Sequence, residues 1–368
     1  MRDLQENGGP APDASGLPSL EEHSLWMRFR KGSLLGNMLT ALGRMRRVPR
    51  NALSSSRAAR GDRRGGLRPV VGEERKFQAV CLIPAGPGDW EPLRDTLDSV
   101  LHYEGPGTKV VVVDDSSTDC RASVVQAEFP DVDVIRRGWP SAPPHNLPTV
   151  ADGIDYALGK YSFDVLVKLD TDALATAASP SAAAARLFER DPRIGLAGTY
   201  RVGAEGLAET YDWDAWVLRH TVRWSPSVRR LLDRARSGGY DGAKVHGGVY
   251  ALSRPALEAM KASGDLDWRE PWWTPLGEDF WLSVMAFANG FTLGSLGGPG
   301  EPYAIASKYT PVSKERLLSQ GRVAIHSVRR GNDGEDEAAL RAFFRERRRG
   351  AQAGSGPIAT DSSRPPGR

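Results

Sequence analysis

The sequence predicts an α/β fold: a doubly wound, mostly parallel sheet with flanking helices. Three observations carry that expectation. Short apolar runs rich in β-branched residues recur at 79–83, 110–113 and 165–169. Each gives way to turn-forming or acidic residues, as the buried strands of a parallel sheet do. Between the runs lie segments with apolar residues at helical spacing, and strand–helix alternation of this kind builds a parallel sheet.

The first strand is Ala79-Val80-Cys81-Leu82-Ile83, stopped by the turn-rich Pro84-Ala85-Gly86-Pro87-Gly88. Leu93, Leu97, Val100 and Leu101 then mark one face of a helix. Val110 to Val113 is the second strand. It ends at Asp114-Asp115-Ser116-Ser117-Thr118-Asp119, where Ser or Thr can cap the next helix. Val132 to Ile135 reads as a third strand, and Val150, Ile154, Ala157 and Leu158 as a second amphipathic helix. Val165 to Leu169 follows, running into Asp170-Thr171-Asp172. Beyond it come a helix capped near Ser179-Pro180, a strand over 195–200 and a helix from Trp213 to Arg223. His246 to Leu252 reads as a strand whose glycines allow close backbone approach. Arg254-Pro255 opens a helix, and Gly277-Glu278-Asp279 opens another that stops at Asn289-Gly290.

Composition sets the frame. Of the 368 residues, 40% are hydrophobic and ten are Trp, enough for a sizeable core. The net charge of +3 is uneven. Residues 1–76 hold 15 Lys and Arg against 8 Asp and Glu, and residues 341–368 hold 7 against 2, so the stretch between them is acidic. Three regions follow: a disordered, basic N-terminal arm (1–76), a folded domain (77–330), and a basic C-terminal helix with a disordered tail (331–368). Within the arm, Leu34, Leu35, Met38, Leu42 and Met45 form a helical stripe between basic residues. Residues 24–70 carry 12 Lys and Arg and one acid, Asp62, which suits peripheral contact with an anionic membrane. A helix docked on its own core or on a second copy is the alternative. Cys81 and Cys120 make neither a disulfide framework nor a metal cluster. No run reaches the ~18 apolar residues of a membrane span, and the N-terminus lacks the form of a signal peptide. The expectation is a soluble cytoplasmic protein that binds no nucleic acid.

The acidic strand end is the centre of the chemistry. In extended chain, residues i and i+2 share a side, so Asp170 and Asp172 would face one site. Two adjacent carboxylates repel unless a cation joins them, and a hard divalent ion holding a diphosphate suits the pair. A solvated acidic turn is the plain alternative. Glu278 and Asp279 offer a second acidic pair, which a helix N-terminus also favours through its dipole. Trp272 and Trp273 beside it offer aromatic faces suited to a sugar acceptor.

In order and spacing, the loop at Pro84, Val113-Asp114-Asp115-Ser116, Leu169-Asp170-Thr171-Asp172, His246-Gly247-Gly248 and Gly277-Glu278-Asp279 resemble family 2 glycosyltransferases of the GT-A fold. The resemblance covers roughly residues 77 to 300. It implies that Pro84, Ala85, Gly86, Asp114 and Asp115 hold the nucleoside, Asp170 the ribose, and His246, Gly247, Gly248 and Glu278 the donor sugar. It implies that Asp172 binds Mn2+ or Mg2+, with His326 as a further ligand, and that Asp279 is the general base of an inverting transfer. The expected donor is a nucleotide-diphosphosugar; the acceptor is a glycan, a lipid-linked species or a small molecule. Glycan, cell-envelope or secondary-metabolite biosynthesis is the expected setting. Two departures stand out: Ala85-Gly86-Pro87-Gly88-Asp89 replaces the Tyr-Asn-Glu-like stretch, and Asp152-Gly153 stands for Asn-x-Gly. The Gln-x-x-Arg-Trp motif of processive synthases is missing, so single addition is expected. A retaining transferase, or a non-catalytic relic that binds nucleotide-sugar or glycan, is the competing expectation.

Overall fold

The computed structural model describes residues 75–86, 90–115, 121–137, 146–222, 225–267 and 276–354. The 24–70 segment with its 34–45 stripe, Ser116 to Asp119, Cys120, Trp272, Trp273 and the tail beyond 354 lie outside the described residues.

The strands are β1 (Arg75–Lys76), β2 (Ala79–Ala85), β3 (Thr108–Asp114), β4 (Asp133–Arg136), β5 (Tyr161–Ser162), β6 (Val165–Leu169), β7 (Ala173–Ala175), β8 (Ile194–Gly198), β9 (Val249–Ser253), β10 (Thr292–Ser295), β11 (Tyr303–Ile305) and β12 (Ala324–His326). Seven form one sheet in the order β10-β8-β9-β6-β2-β3-β4. Every pairing in it is parallel except those of β9, which runs antiparallel to β6 and β8. A small second sheet, β11-β12-β7, pairs β12 antiparallel with β7. β1 and β5 pair separately.

The unbroken apolar strands follow from burial on both faces. Val80 and Leu82 of β2 pack with Val150, Ile154 and Ala157 of the Leu147–Lys160 helix. Cys81 and Ile83 point the other way, toward Leu93, Leu97 and Val100 of the Trp90–Glu104 helix. Helix and strand approach closely at Gly153, where a Cβ would lie 2.5 Å from a Leu82 methyl. The Glu278–Ala288 helix is buried from Glu278 to Phe287, so it is a central helix.

Four sequence expectations need correction. Pro84 and Ala85 are not loop but the end of β2, paired with Val113 and Asp114. Proline is tolerated there because β6 pairs with β2 only as far as Leu82, so its missing N–H removes no ladder bond on that side. His246 to Gly248 precede the strand, which starts at Val249. The strand expected over 195–200 ends at Gly198. The helix expected from Trp213 to Arg223 is Asp212–Val217 followed by a π-helical turn, Leu218–Val222.

Candidate active site

The C-terminal ends of β2, β3 and β6 lie on one edge of the sheet, the edge where open α/β sheets bind ligands. β6 stops at Leu169. The chain then turns, with the Ala173 N–H donating to the Asp170 carbonyl at 3.0 Å. Asp170 and Asp172 therefore do not share a side through extended geometry. They are gathered by the turn and by β7, whose Ala173 pairs with His326 of β12.

That pairing brings a third ligand from far along the chain. One ligand atom from each of Asp170, Asp172 and His326 lies within 4.8 Å of the others. His326 Nε2 is 3.2 Å from Asp172 Oδ1 and 3.9 Å from Asp170 Oδ2. Its Nδ1 is 2.8 Å from the Ala306 carbonyl oxygen, which can only accept, so Nδ1 carries the proton. In the neutral ring, Nε2 then presents a lone pair to two carboxylates, an arrangement that a cation completes. The donor set fits a divalent ion.

A buried cation holds this edge together. Lys168, fully buried on β6, reaches Asp170 Oδ1 at 2.6 Å and Glu278 Oε1 at 2.8 Å. Burial alone would lower the lysine's pKa, but the two carboxylates outweigh it and hold the ammonium charged. Burial raises the pKa of Glu278, and the charges of Asp279 and Asp170 add to this against Lys168. Glu278 thus acts on the site through Lys168. Ser327 Oγ donates to Asp172 Oδ2 at 2.9 Å, and Arg329 Nε approaches the same oxygen at 2.7 Å. Burial favours protonation of Asp172, but a protonated His326, together with Arg329 and Ser327, holds its pKa well below the usual carboxylate range.

Gly247 and Gly248 thread between His326 and Asp279. Gly248 has φ +95°, and a Cβ there would lie 2.3 Å from His326 Nδ1, so only glycine fits. The Gly247 N–H donates to Asp279 Oδ2 at 3.1 Å. Lys244 Nζ is 3.0 Å from that oxygen and 3.5 Å from Asp214 Oδ1. Burial raises the pKa of Asp279, but the Lys244 ammonium outweighs it, helped by His246, and the net shift is downward. His246 Nε2 pairs with Glu209 Oε2 at 2.8 Å. Both line a cavity of about 340 Å³ with Glu205, Ala306 and Tyr309.

At the neighbouring strand end, Asp115 is buried, with Arg137 Nη1 at 2.8 Å from Oδ1 and Thr149 Oγ1 donating to Oδ2 at 3.0 Å. Arg137 also pairs with Asp152 at 2.7 Å, which gives a role to the residue in the Asn-x-Gly position. The Asp115 N–H donates to the Ala85 carbonyl at 2.8 Å, tying Pro84, Ala85 and Gly86 to the Asp114-Asp115 end of β3. Sequence reasoning missed Lys168, Lys244, Glu209, Arg137, Ser327 and Arg329. For Lys168 there was a signal, a lysine inside an otherwise apolar strand; for the others there was none.

This sheet, with its acidic edge, is a GT-A fold, the architecture of nucleotide-diphosphosugar transferases. Residues 82–240 match the family model for glycosyl transferase family 2. A search of curated proteins finds no match. Among solved structures, the mannosyltransferase PcManGT from Pyrobaculum calidifontis, in complex with GDP-Man and Mn2+, is similar at 17% identity and a TM-score of 0.35. The match covers 64% of this chain and 60% of that protein's own length. No helix among the described residues is long and apolar enough to cross a membrane.

Proposed function

We propose that the protein is a metal-dependent, inverting glycosyltransferase that moves a sugar from a nucleotide-diphosphosugar to an acceptor hydroxyl. The observation that carries this is the Asp170, Asp172 and His326 cluster, with Asp279 across Gly247-Gly248 from it. A divalent ion held there would offset negative charge on the departing diphosphate. Two carboxylates and one imidazole suit Mn2+, and Mg2+ less well. Asp170 lies toward the ribose in this reading, and Asp115 beside Pro84 to Gly86 meets the nucleoside. His246, Gly247 and Gly248 flank the donor sugar.

The acceptor oxygen attacks the anomeric carbon from the side opposite the diphosphate. The carbon–oxygen bond to phosphate breaks, its electron pair leaves on the diphosphate, and Asp279 takes the acceptor proton. Direct displacement inverts that carbon. Lys244 and the Gly247 N–H aim Asp279 but also weaken it as a base. That observation favours a second reading of the proton's destination. His246 sits on the open cavity with Glu209, whose pKa its hydrogen bond lowers, and an ionised Glu209 would hold the proton on Nε2 and leave Nδ1 to accept. Cytoplasmic action, membrane contact through residues 24–70 and an acceptor platform at Trp272 and Trp273 belong to this proposal.

A panel of UDP-, GDP- and dTDP-sugars with Mn2+ or Mg2+, read by thermal shift, tests the function. One donor at 100 times its dissociation constant should stabilise the protein by about 2.7 kcal/mol, and only with metal. No metal-dependent stabilisation by any donor would argue against the reading.

A further inference from the structure

Between the two metal-binding aspartates lies Thr171, and its carbonyl oxygen is held from outside the sheet. Arg341 Nη2, on the C-terminal helix Glu337–Gly354, donates to it at 2.7 Å. The same guanidinium gives Nη1 to Asp95 at 3.1 Å and Nε to Glu337 at 2.8 Å. Arg341 is 4% exposed and Asp95 1% exposed. Burying two charges this deeply is unfavourable unless the geometry is specific.

Among the described residues, the Thr171 carbonyl has one other hydrogen-bond donor beside it, the Thr96 hydroxyl at 2.9 Å. That hydroxyl has a single proton and is also 2.8 Å from the Ala173 carbonyl. It serves one carbonyl at a time, so Arg341 is the steady donor to Thr171. A peptide unit is planar, so fixing the Thr171 oxygen fixes the N–H and Cα of Asp172 as well. On its far side, Asp172 is fixed by its own carbonyl, which accepts from the Val328 N–H at 2.9 Å. Asp172 is thus clamped front and back, by Arg341 and by the strand connection after His326.

We infer that Arg341 is a positioning residue for the metal site, acting through the Thr171 carbonyl; the inference rests on the proposed function of that site. Two neighbours supply the internal comparison. Arg345 and Arg348 also reach Asp95, Arg345 at 3.3 Å, and neither is a partner of Thr171. If Asp95 only anchors the C-terminal helix, neither the buried Arg341 nor the more exposed Arg345 should alter Mn2+ binding by the folded protein. If Arg341 orients the metal loop, its loss alone should. Lysine at 341 could still reach Asp95 but lacks the planar fork that serves Asp95 and Thr171 together.

The test is a Mn2+ titration followed by electron paramagnetic resonance, with GDP and again with UDP present, on wild type, Arg341→Gln, Arg341→Lys and Arg345→Gln. Circular-dichroism melting runs alongside. Arg341→Gln should weaken Mn2+ binding about 10- to 100-fold, the usual effect of losing a group that orients a metal ligand. Arg341→Lys should lie between it and wild type, and Arg345→Gln should stay at the wild-type value. Should Arg341→Gln fail to fold, the lysine variant decides: weakened Mn2+ binding supports the inference, and wild-type binding overturns it. Unchanged Mn2+ binding in Arg341→Gln, or an equal loss in Arg345→Gln, also overturns it. Nucleotide-assisted Mn2+ binding that is missing from wild type would instead overturn the proposed function, and this inference with it.

Discussion

Asp172→Ala is expected to abolish metal-dependent nucleotide binding while the protein still folds. Its carboxylate is the one that meets His326 most closely and is backed by Ser327 and Arg329. It is also 6% exposed, so the substitution affects stability as well as binding. Leaving the Ser327 hydroxyl without its acceptor should lower stability by about 1–3 kcal/mol. Asp172→Asn separates the two effects, since the amide oxygen keeps the Ser327 bond but brings no charge. Calorimetry with UDP or GDP plus Mn2+ should therefore show loss of binding in both variants, with less thermal destabilisation in the asparagine one. Retained metal-dependent affinity in Asp172→Asn would remove this residue from the metal site.

Asp279→Asn should leave donor binding nearly unchanged and reduce transfer by roughly 10²–10⁴, the contribution of a positioned base. Removing that charge leaves Lys244 with Asp214, 3.5 Å away, as its carboxylate partner. His246→Gln measured beside it decides between the two proton acceptors. A large loss in the asparagine variant alone supports Asp279; a large loss in the glutamine variant with near-normal Asp279→Asn supports His246. Glu278→Gln is expected to behave differently from both. It breaks a buried pair with Lys168, and such a loss typically destabilises by about 3–5 kcal/mol. Its signature should be a lowered melting temperature more than a lowered rate in the protein that remains folded.

How far the sequence carried this account depends on how local each feature is. The apolar runs of β2, β3 and β6 were legible because strands buried on both faces need little but apolar side chains. The acidic pairs and Gly247-Gly248 were legible as motifs. Asp170 and Asp172 do not share a side through extended chain, because the strand ends at Leu169 and a turn gathers them. The long-range contacts that tune the site could not be read from sequence. Lys168 meets Glu278 across 110 positions, and Arg341 meets Thr171 across 170. Lys168 stands out in its apolar strand, but nothing local marks the residue that it or Arg341 meets. The same holds for β9, whose apolar run does not reveal that it enters the sheet antiparallel between β6 and β8. His326 was placed by family resemblance, and it is the β12–β7 pairing that delivers it.

The most direct test of the central claim is release of nucleoside diphosphate by the wild-type protein. UDP-, GDP- and dTDP-sugars would each be supplied with Mn2+, and again after the metal is removed with EDTA. The account predicts turnover of at least one donor with Mn2+, lost with EDTA and restored by adding Mn2+ back. Turnover of a donor at the same rate in EDTA would contradict the role given to Asp170, Asp172 and His326.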